Sequence, residues 1–591
     1  MSSLGEELRK ILRGEVDDSP ETLAHYSRDA SLFAVRPQVV VYPKDAEDIC
    51  AAVRFVDEKK KVPKTHLSIT PRAAGTDMGG GPLGDSIVLD VTKHLHRLLE
   101  LDAIPGAAGV AGHAVAEPGM FFRDFDKETK KKGLELPSYT ASRELNAVGG
   151  MVANDSGGEK NLKYGKTARY VEKLDVVCAD GAVHHFKKLE GEELQQKLAE
   201  DSWEGSVYRR VRALISTPLH RKVIAEHKPK VEKNSSGYAL WEVGDPSEGR
   251  AGGTPSLNLA RLMVGAQGTL GIITKIWFTL VRPKPYAAMT VIFLRSLSEL
   301  GEVVPEVLKH EPDSFESYDD HTFTLATKYF FEFAQQMSAQ GQFALGGIVG
   351  LVKLGLSFLP EVWMVLSGGV PKLVLLVEFR AETQKEATGK AQALAQEVRQ
   401  NRTHLKVRVA KTKRAARKYW VVRRESFNLL RKKVVGRRTA PFIDDFVVPP
   451  SSLVEFLPKL EKILSRYKLT YTVAGHVGDG NFHIIPLVDP RDPGVRKVLD
   501  ELSHKVYDLV LSYHGSITGE HNDGLVRTPY VEKMFGKEMF ALFHEVKSIF
   551  DPQNIFNPGK KVGTTFSDAF AHLDLPVTTA DKAKKESAPG R

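Results

Sequence analysis

The sequence has very few cysteines and no long apolar run, and each shortage excludes a class of protein. Only two cysteines, Cys50 and Cys178, occur among 591 residues. They cannot build a disulfide framework, a four-thiolate zinc site or an iron–sulfur cluster, so any electron carrier must be bound by other residue types. Because no stretch reaches about 20 consecutive apolar residues, we expect no membrane-spanning helix.

The chain start also lacks the apolar core of a secretory signal, since it carries acids at Glu6 and Glu7. With so few cysteines, we expect a reducing compartment, that is, a cytoplasmic protein. The length exceeds what one hydrophobic core supports, so two or three domains are expected.

The positive charge of the chain is local. The net charge is +9, yet residues 406–438 alone hold fourteen Lys or Arg and one acid, Glu425. That segment contributes +13, so the rest of the chain sums to −4 (9 − 13). It is consistent with a solvated helix face, a surface for acidic lipid or a partner protein, or a funnel for anionic substrate. Nucleic acid is not expected, because no recognised binding module accompanies it.

A strongly apolar segment lies just before the basic segment. Apolar residues dominate 343–379, although Lys353, Pro360 and Glu361 interrupt them. A buried helix pair is one interpretation. The other is a patch over 343–368 that lies on a membrane surface, at the inner face, beside the basic segment.

Three loops of small residues each adjoin apolar strands. They occupy residues 69–81, 149–158 and 265–274, and Val39 to Pro43 begins an alternation of strands and helices before them. Such an alternation indicates an α/β or α+β domain. Glycine-rich loops with exposed amide groups predict a long ligand bound against bare backbone, with a pyrophosphate at the first loop.

A histidine motif near the C-terminal third predicts a metal site. A four-residue hairpin loop at Gly478 to Asn481 would make His476 and His483 direct cross-strand partners, about 5 Å apart at Cβ. Two imidazoles at that spacing can bind one cation, and Glu520 would complete two histidines and one carboxylate. Such a set leaves a coordination position open, as catalytic metal sites do. His521, the next residue, is left as a base.

Seven motifs then occur in a fixed order across residues 36–562, and together they carry a family resemblance. They are Pro71-Arg72-x-x-Gly75-Thr76, Gly149-Gly150-x-x-Ala153-Asn154, Lys163-Tyr164-Gly165, Gly265-x-x-Gly268-Thr269-Leu270-Gly271-Ile272, the histidine motif, Gly519-Glu520-His521 and Asn557-Pro558-Gly559-Lys560. The chain resembles the FAD-linked D-2-hydroxyacid dehydrogenases of the vanillyl-alcohol-oxidase flavoprotein superfamily.

The resemblance implies an α+β fold with a two-part FAD-binding domain and an α+β cap domain built on an antiparallel sheet. The boundaries it predicts are a helical lead-in at 1–35, the FAD-binding domain at 36–283, the cap at 286–520 with the insertion 343–368, a helical return at 521–565 and a flexible tail at 566–591.

It also implies the cofactor residues. They are Pro71, Arg72, Ala73, Ala74, Gly75, Thr76, Asp77 and Met78 around the pyrophosphate; Pro137, Ser138, Thr140, Gly149, Gly150, Asn154 and Gly157 along the flavin; and Gly268, Ile273, Asn557 and Lys560 from the later loops. Members with covalent flavin have a histidine where this chain has Thr76, so the FAD is predicted to be non-covalent.

The reaction implied by the resemblance is oxidation of a D-2-hydroxy acid, with hydride transfer to flavin N5 and electrons passed on to quinone or another carrier. A divalent metal, Zn or Mn, held by His476, His483 and Glu520 would polarise the hydroxyl, and His521 would take its proton. Arg424, with Arg423 as the alternate, matches the arginine that holds the substrate carboxylate.

Two departures bear on the substrate. Ile443 stands where relatives acting on dicarboxylates have a lysine, and Ile485 stands where an asparagine is common. Both changes replace a polar group with an apolar one, which favours either a less polar acid, such as D-lactate or glycolate, or a repositioned pocket. Two other functions stay open: a non-redox transferase resembling alkylglycerone-phosphate synthase, and a silent flavin-binding subunit of an electron-transfer assembly.

Overall fold

A computed structural model describes residues 3–106, 109–244, 255–320, 369–433 and 436–575 of the chain. The predicted insertion 343–368 lies outside these residues. The chain divides into two compact units: a first unit of Met1–Pro283 with His514–Asp574, and a second unit of Lys284–Tyr513 with Leu575–Arg591. No helix in the described ranges is long and apolar enough to cross a bilayer.

The first unit contains ten strands in two sheets. They are β1 Glu15–Asp17, β2 Val39–Tyr42, β3 Ile69–Arg72, β4 Ile87–Asp90, β5 Leu98–Ala103, β6 Gly112–Ala116, β7 Val171–Val177, β8 Val183–Glu190, β9 Ser256–Asn258 and β10 Ile272–Leu280. The order is β1-β2-β4-β3 in one sheet and β5-β6-β10-β7-β8-β9 in the other. In the first sheet β2, β4 and β3 are parallel, whereas the second sheet is antiparallel throughout.

Helices connect and cover these strands. They are Ser3–Ile11, Pro20–Tyr26, Ala46–Lys60, Phe122–Lys131, Val148–Asn154, Asn161–Tyr164, Gly191–Ala199, Trp203–Ser216, Pro218–His227 and Ala260–Met263. Ala46–Lys60 shows why they form: the Asp45 side chain accepts hydrogen bonds from two amides of the first turn, and Ile49, Val53 and Val56 recur at helical spacing in the core.

The sequence predicts a helical N-terminal lead-in, but the lead-in also contains a strand. Its strand β1 pairs antiparallel with β2, with Glu15 opposite Tyr42. Leu4, Leu8 and Leu12 pack into the same core as Val39 and Val41. The lead-in therefore forms part of the first sheet and its core, because its apolar side chains have no other core to enter.

The second unit is built on one eight-stranded sheet. Its strands are β11 Tyr286–Leu294, β12 Ser314–Asp319, β13 Leu373–Ala381, β14 Lys406–Ala410, β15 Arg438–Thr439, β16 Phe446–Val447, β17 Thr470–His476 and β18 Asn481–Val488. The order is β14-β11-β13-β12-β17-β18-β15, with β16 also pairing with β18, and every pairing is antiparallel. Its helices are Ser298–Leu308, Gln384–Asn401, Lys413–Lys433, Leu453–Leu464 and Val495–Ser512.

The C-terminal part of the first unit contains two further helices, Gly524–Phe550 and Phe566–Ala571. The first is interrupted at Gly536, where φ is +75°, and Asp551 is its C-cap. The second falls inside the predicted flexible tail, and this part of that prediction is wrong. Thr565 and Asp568 cap it reciprocally, and Leu573 beyond it bridges to Phe33, so local capping and pairing order these residues.

Candidate active site

The first loop of the first unit is fastened by Arg72. Its guanidinium donates to the carbonyl of Tyr26 at 3.2 Å and to the carbonyl of Arg28 at 2.8 Å, and it lies 5.1 Å from the Tyr26 ring centroid. The structure thus places this predicted pyrophosphate ligand with two of its nitrogens on the lead-in backbone. Residues 73–78, which follow, are all half-buried, so their backbone stays accessible to a ligand.

Asp77 shapes the rest of that loop. Its Oδ2 accepts from the amides of Gly79 at 3.1 Å and Gly81 at 2.7 Å, and its Oδ1 accepts from Asn154 Nδ2 at 2.9 Å. Asn154 Oδ1 in turn accepts from Gln267 Nε2 at 3.1 Å. Three loops that are far apart in sequence are therefore connected through side chains we had predicted to touch the cofactor.

Asn557 and Lys560 fix the same loops from the C-terminal side. Asn557 Nδ2 donates to the carbonyls of Gly81 at 2.9 Å and Gln267 at 2.7 Å, and the buried Lys560 Nζ donates to the carbonyl of Leu83 at 2.5 Å. Burial lowers the pKa of Lys560 to about 8, because the charged form loses its hydration. Both side chains hold backbone in place.

Small residues between the loops have two different roles. A Cβ on Gly149, Gly158 or Gly268 would approach Pro118, the Tyr139 carbonyl or Pro71 within 2.1–2.5 Å, so these glycines permit close packing. A Cβ on Gly150 would meet only the Ala73 Cβ, at 3.6 Å. The open space for a flat ligand therefore lies beside Gly150 and Ala73, which fits a flavin nucleotide bound against bare backbone.

The remaining predicted flavin residues are placed as follows. The Ser138 hydroxyl accepts from Thr167 at 3.2 Å, and the Thr140 hydroxyl accepts from Asn146 at 2.8 Å. Pro137 precedes Ser138 and is buried, whereas Ile273 is half-buried in β10 opposite Val176.

Glu520 and His521 lie in the first unit beside the glycine-rich stretch. Glu520 is 8 % exposed, and its Oε2 is 2.9 Å from Nζ of the fully buried Lys233. A Cβ on Gly157 would come within 3.3 Å of that same oxygen. The carboxylate therefore borders the predicted flavin surface. Lys233 was not predicted, because a lysine between Glu232 and Asn234 belongs to no motif of the sequence.

The histidine hairpin of the second unit corrects the predicted register. His476 pairs with Asn481 and Ala474 pairs with His483, so the loop is Val477 to Gly480 and the two histidines are diagonal neighbours. The prediction that they are direct partners is wrong by two residues. The reason is Gly480, which has φ of +69° and would place a Cβ 1.9 Å from the Val448 carbonyl, so it must end the loop.

The shift leaves both histidines on one face, because two residues is the side-chain period of a strand. Their ring centroids are 5.3 Å apart and their planes are nearly perpendicular. His476 Nδ1 is 2.6 Å from Glu316 Oε1, and His483 Nδ1 is 3.0 Å from Asp444 Oδ1. Because an ionised carboxylate only accepts, each Nδ1 donates to its own carboxylate, and a metal would be ligated through Nε2.

Glu316 and Asp444 are 2 % and 0 % exposed, and the sequence analysis missed both. A signal existed, since acids inside an apolar strand, or just before one, are rarely buried without a partner. The arginines also differ from expectation. Arg423 Nη2 lies 3.3 Å from Glu316 Oε2, whereas Arg424 stacks 4.8 Å from the Trp420 ring centroid. The structure thus brings the alternate, Arg423, to the histidine pair.

Two smaller predictions concern apolar and sulfur side chains. Ile443 and Ile485 are buried, at 0 % and 7 % exposure. Cys50 and Cys178 are free and buried, and desolvation raises the pKa of both thiols, that of Cys50 to about 11. Burial and a raised pKa both disfavour attack by either thiol.

Two family profiles match the chain. One, described as FAD binding domain, matches residues 37–187, and the other, described as FAD linked oxidases, C-terminal domain, matches residues 284–561. These matches define a flavoprotein whose FAD-binding domain is of the vanillyl-alcohol-oxidase type. The chain belongs to the FAD-linked oxidases, and the predicted α+β fold class is confirmed.

Among relatives, a D-2-hydroxyglutarate dehydrogenase of Pseudomonas putida is 27% identical over 93% of this chain and 50% of its own length. The glycolate oxidase subunit GlcD of Bacillus subtilis is 26% identical over 92% of this chain and 93% of its own. A D-lactate dehydrogenase of Archaeoglobus fulgidus is 26% identical over 89% and 91%. The chain spans about half the length of the D-2-hydroxyglutarate dehydrogenases it matches.

A solved structure of similar fold is 4-ethylphenol oxidase from Gulosibacter chungangensis. It has a TM-score of 0.65 with 14% identity and covers 96% of this chain and 99% of its own. At that identity the likeness supports the fold alone.

Proposed function

We propose that the protein oxidises a D-2-hydroxy acid, of the D-lactate or glycolate type, to the 2-oxo acid with FAD as electron acceptor. The observation that carries the proposal is the histidine pair of the second unit, in which each Nδ1 donates to its own buried carboxylate. That arrangement is typical of histidines that ligate a catalytic metal. The names of the relatives, all dehydrogenases or oxidases of 2-hydroxy acids, support it.

The FAD is held without a covalent bond in this proposal. Thr76 occupies the position of the linking histidine, and both cysteines are buried with raised pKa. The backbone of residues 71–78, with the small residues Gly150 and Gly157, would contact it, while the loops around it are fixed by Asp77, Asn154 and Asn557. When bound, FAD supplies the acceptor for the hydride.

A divalent metal, Zn or Mn, would be held by His476, His483 and Glu520. Two imidazole nitrogens and one carboxylate form the donor set that suits either ion and leaves a position for substrate. When bound, the metal lowers the pKa of the substrate hydroxyl. Lys233 holds Glu520 through the ion pair at 2.9 Å, which limits the rotamers of that carboxylate.

His521 is the proposed base for the hydroxyl proton, since it follows Glu520 directly and is half-buried. The substrate carboxylate would be held by a guanidinium, the natural bidentate partner. Arg423 is the better candidate than Arg424, because it shares Glu316 with His476.

The substrate is proposed to be less polar than a dicarboxylate. Ile443 and Ile485 are both buried apolar side chains at the positions where polar groups would recognise a second carboxylate. A D-lactate-like or glycolate-like acid suits these residues better than 2-hydroxyglutarate.

The electrons are proposed to pass to quinone or to an electron-transfer protein, with peripheral membrane contact through 343–368 and the basic segment 406–438. The charge of that segment supports an anionic surface as partner. Retention of the purified protein in solution with anionic liposomes, and quinone reduction unchanged by deletion of 343–368, would remove this part.

The test of the reaction is anaerobic mixing of the holoprotein with a panel of D- and L-2-hydroxy acids while the visible flavin absorbance is followed. We expect bleaching by a D-acid, only with metal present, and slow bleaching by 2-hydroxyglutarate. Bleaching that is insensitive to metal removal would exclude the metal role, and no bleaching by any acid would favour the transferase or the silent subunit.

A further inference from the structure

We infer that Glu316 is a positioning residue that orients His476 and Arg423 together, so that one buried carboxylate sets both the metal ligand and the guanidinium for the substrate carboxylate. This inference rests on the proposed function of the histidine pair. Glu316 belongs to no sequence motif. In this inference its single side chain orients both the histidine and the arginine.

The geometry uses the two oxygens of Glu316 for two different partners. Oε1 lies 2.6 Å from His476 Nδ1, and Oε2 lies 3.3 Å from Arg423 Nη2. Since Glu316 is 2 % exposed, water cannot replace either partner easily. A buried carboxylate needs polar partners for its oxygens, and here a ring N–H and a guanidinium provide them.

The backbone fixes this arrangement before any side chain is considered. β12 pairs with β17 through Ser317 opposite Gly475 and Tyr318 opposite Ala474. The next pair in that antiparallel register is Glu316 opposite His476. The two side chains therefore project from adjacent strands on one face, and the contact does not depend on a loop.

The tautomer of His476 follows from the same contact. Because the carboxylate can only accept, Nδ1 carries a proton, and Nε2 is the nitrogen through which the ring would ligate a metal. Asp444 does the same for His483, at 3.0 Å. The two carboxylates thus have the same role toward the two histidines, and Glu316 in addition contacts Arg423.

The contact of Glu316 with Arg423 can be tested by comparing variants of the two carboxylates. In Glu316→Gln the carboxamide keeps one acceptor oxygen, so it can serve only one of the two donors, and its NH₂ group repels the other. In Asp444→Asn the bond to His483 is weakened, while the contact of Glu316 with Arg423 is left unchanged. Two quantities are measured on FAD-loaded protein: the affinity for Co²⁺, from its visible d–d bands, and the affinity for glyoxylate, pyruvate and 2-oxoglutarate at saturating Co²⁺, from the flavin spectrum.

We expect both variants to bind Co²⁺ about 10- to 100-fold more weakly, the usual cost of losing a carboxylate behind a ligating histidine. At saturating Co²⁺, Glu316→Gln should bind the 2-oxo acid about tenfold more weakly still, whereas Asp444→Asn should match the wild type within about twofold. Arg423→Lys, which leaves the histidine contact intact, should reproduce only the loss of acid affinity.

Equal acid affinities in Glu316→Gln and Asp444→Asn would overturn the inference, as would a Co²⁺ affinity of Glu316→Gln equal to that of the wild type. If Glu316→Gln does not fold, as judged by far-UV circular dichroism and FAD content, Glu316→Asp replaces it, because the shorter side chain reaches only one partner. A wild-type protein that binds neither Co²⁺ nor any of the three acids would instead contradict the proposed function.

Discussion

The polar side chains of the two units differ in what they are used for. In the first unit, Arg72, Asp77, Asn154 and Asn557 are bonded to backbone or to one another, and the accessible surface is left to small residues such as Gly150. In the second unit, Glu316 of β12 and Asp444, which lies just before β16, accept hydrogen bonds from the histidine side chains themselves. The first region is organised to present backbone, and the second to present ring nitrogens.

This comparison shows that residues of equally recognisable motifs can have different roles, either fixing a loop or presenting a side chain to a ligand. A nucleotide with a long pyrophosphate chain can be bound by amide groups, so motif residues are free to fix the loops. A metal needs side-chain donors of defined orientation, so there the motif histidines would contact the ligand directly, and acids outside the motif hold them.

The sharpest test of this contrast is His483→Ala. Removing one of two imidazole donors should abolish metal retention and slow flavin reduction by on the order of 10³-fold, while FAD content stays unchanged. Metal analysis and anaerobic stopped-flow absorbance measure the two effects. His96→Ala, at an exposed histidine in the first unit, is the control and should behave as wild type. Loss of FAD in His483→Ala would contradict the separation of FAD binding from the histidine pair.

His521→Ala should give the next largest effect. The variant is expected to remain yellow and to keep its metal, yet to be reduced roughly 10²- to 10⁴-fold more slowly because a positioned base is missing. The rate of flavin bleaching at saturating acid checks it, again beside His96→Ala. Wild-type rates would take the base role away from His521.

Asn557→Ala is expected to have the opposite effect, namely weaker FAD binding with a normal rate of flavin reduction. Its two donor bonds to Gly81 and Gln267 are buried, so their loss should cost about 2–4 kcal/mol in the ordering of the loops and weaken FAD binding about 10- to 100-fold. FAD titration of the apoprotein by flavin fluorescence measures this. Gln553→Ala, exposed four residues earlier, is the control. Reduction of the fraction that retains FAD should proceed at the normal rate, and a slow rate there would argue that Asn557 serves the chemistry.

Lys560→Met should give the smallest effect, and this effect should depend on pH. The pKa of Lys560 is lowered from 10.5 to about 8 by burial, so the unfolded chain takes up a proton between those values and the folded chain does not. Stability of the wild-type apoprotein therefore falls as pH is lowered from 10.5 to 8, and the variant should lack that fall. The difference in Tm between pH 10 and 8 should shrink by a few degrees, roughly 2–4 °C. Lys130→Met, at an exposed lysine, should keep the wild-type slope.

Much of the fold was within reach of the sequence. The strand β3 leads into the first glycine-rich loop, and the strands β7 and β10 follow the second and the third. The hairpin was also predicted, but its register was not, because the loop position depends on how closely Gly480 approaches Val448, which is distant in sequence.

The site was predicted less completely than the fold. The motif histidines were identified, but Glu316 comes from a strand 160 residues earlier, so only the pairing of β12 with β17 could indicate it. Arg424 was preferred over Arg423 from motif spacing, whereas side-chain direction decides between neighbours on a helix, and this depends on what the helix faces.

The hydrogen bonds from Arg72 to Tyr26 and Arg28 have a practical consequence for truncation. The FAD-binding profile begins at residue 37, but a fragment cut there would lose both carbonyl acceptors and leave a buried guanidinium without them. It would also lose Phe33, the bridge partner of Leu573. The smallest autonomously folding piece therefore has to include residues that the homology boundary omits.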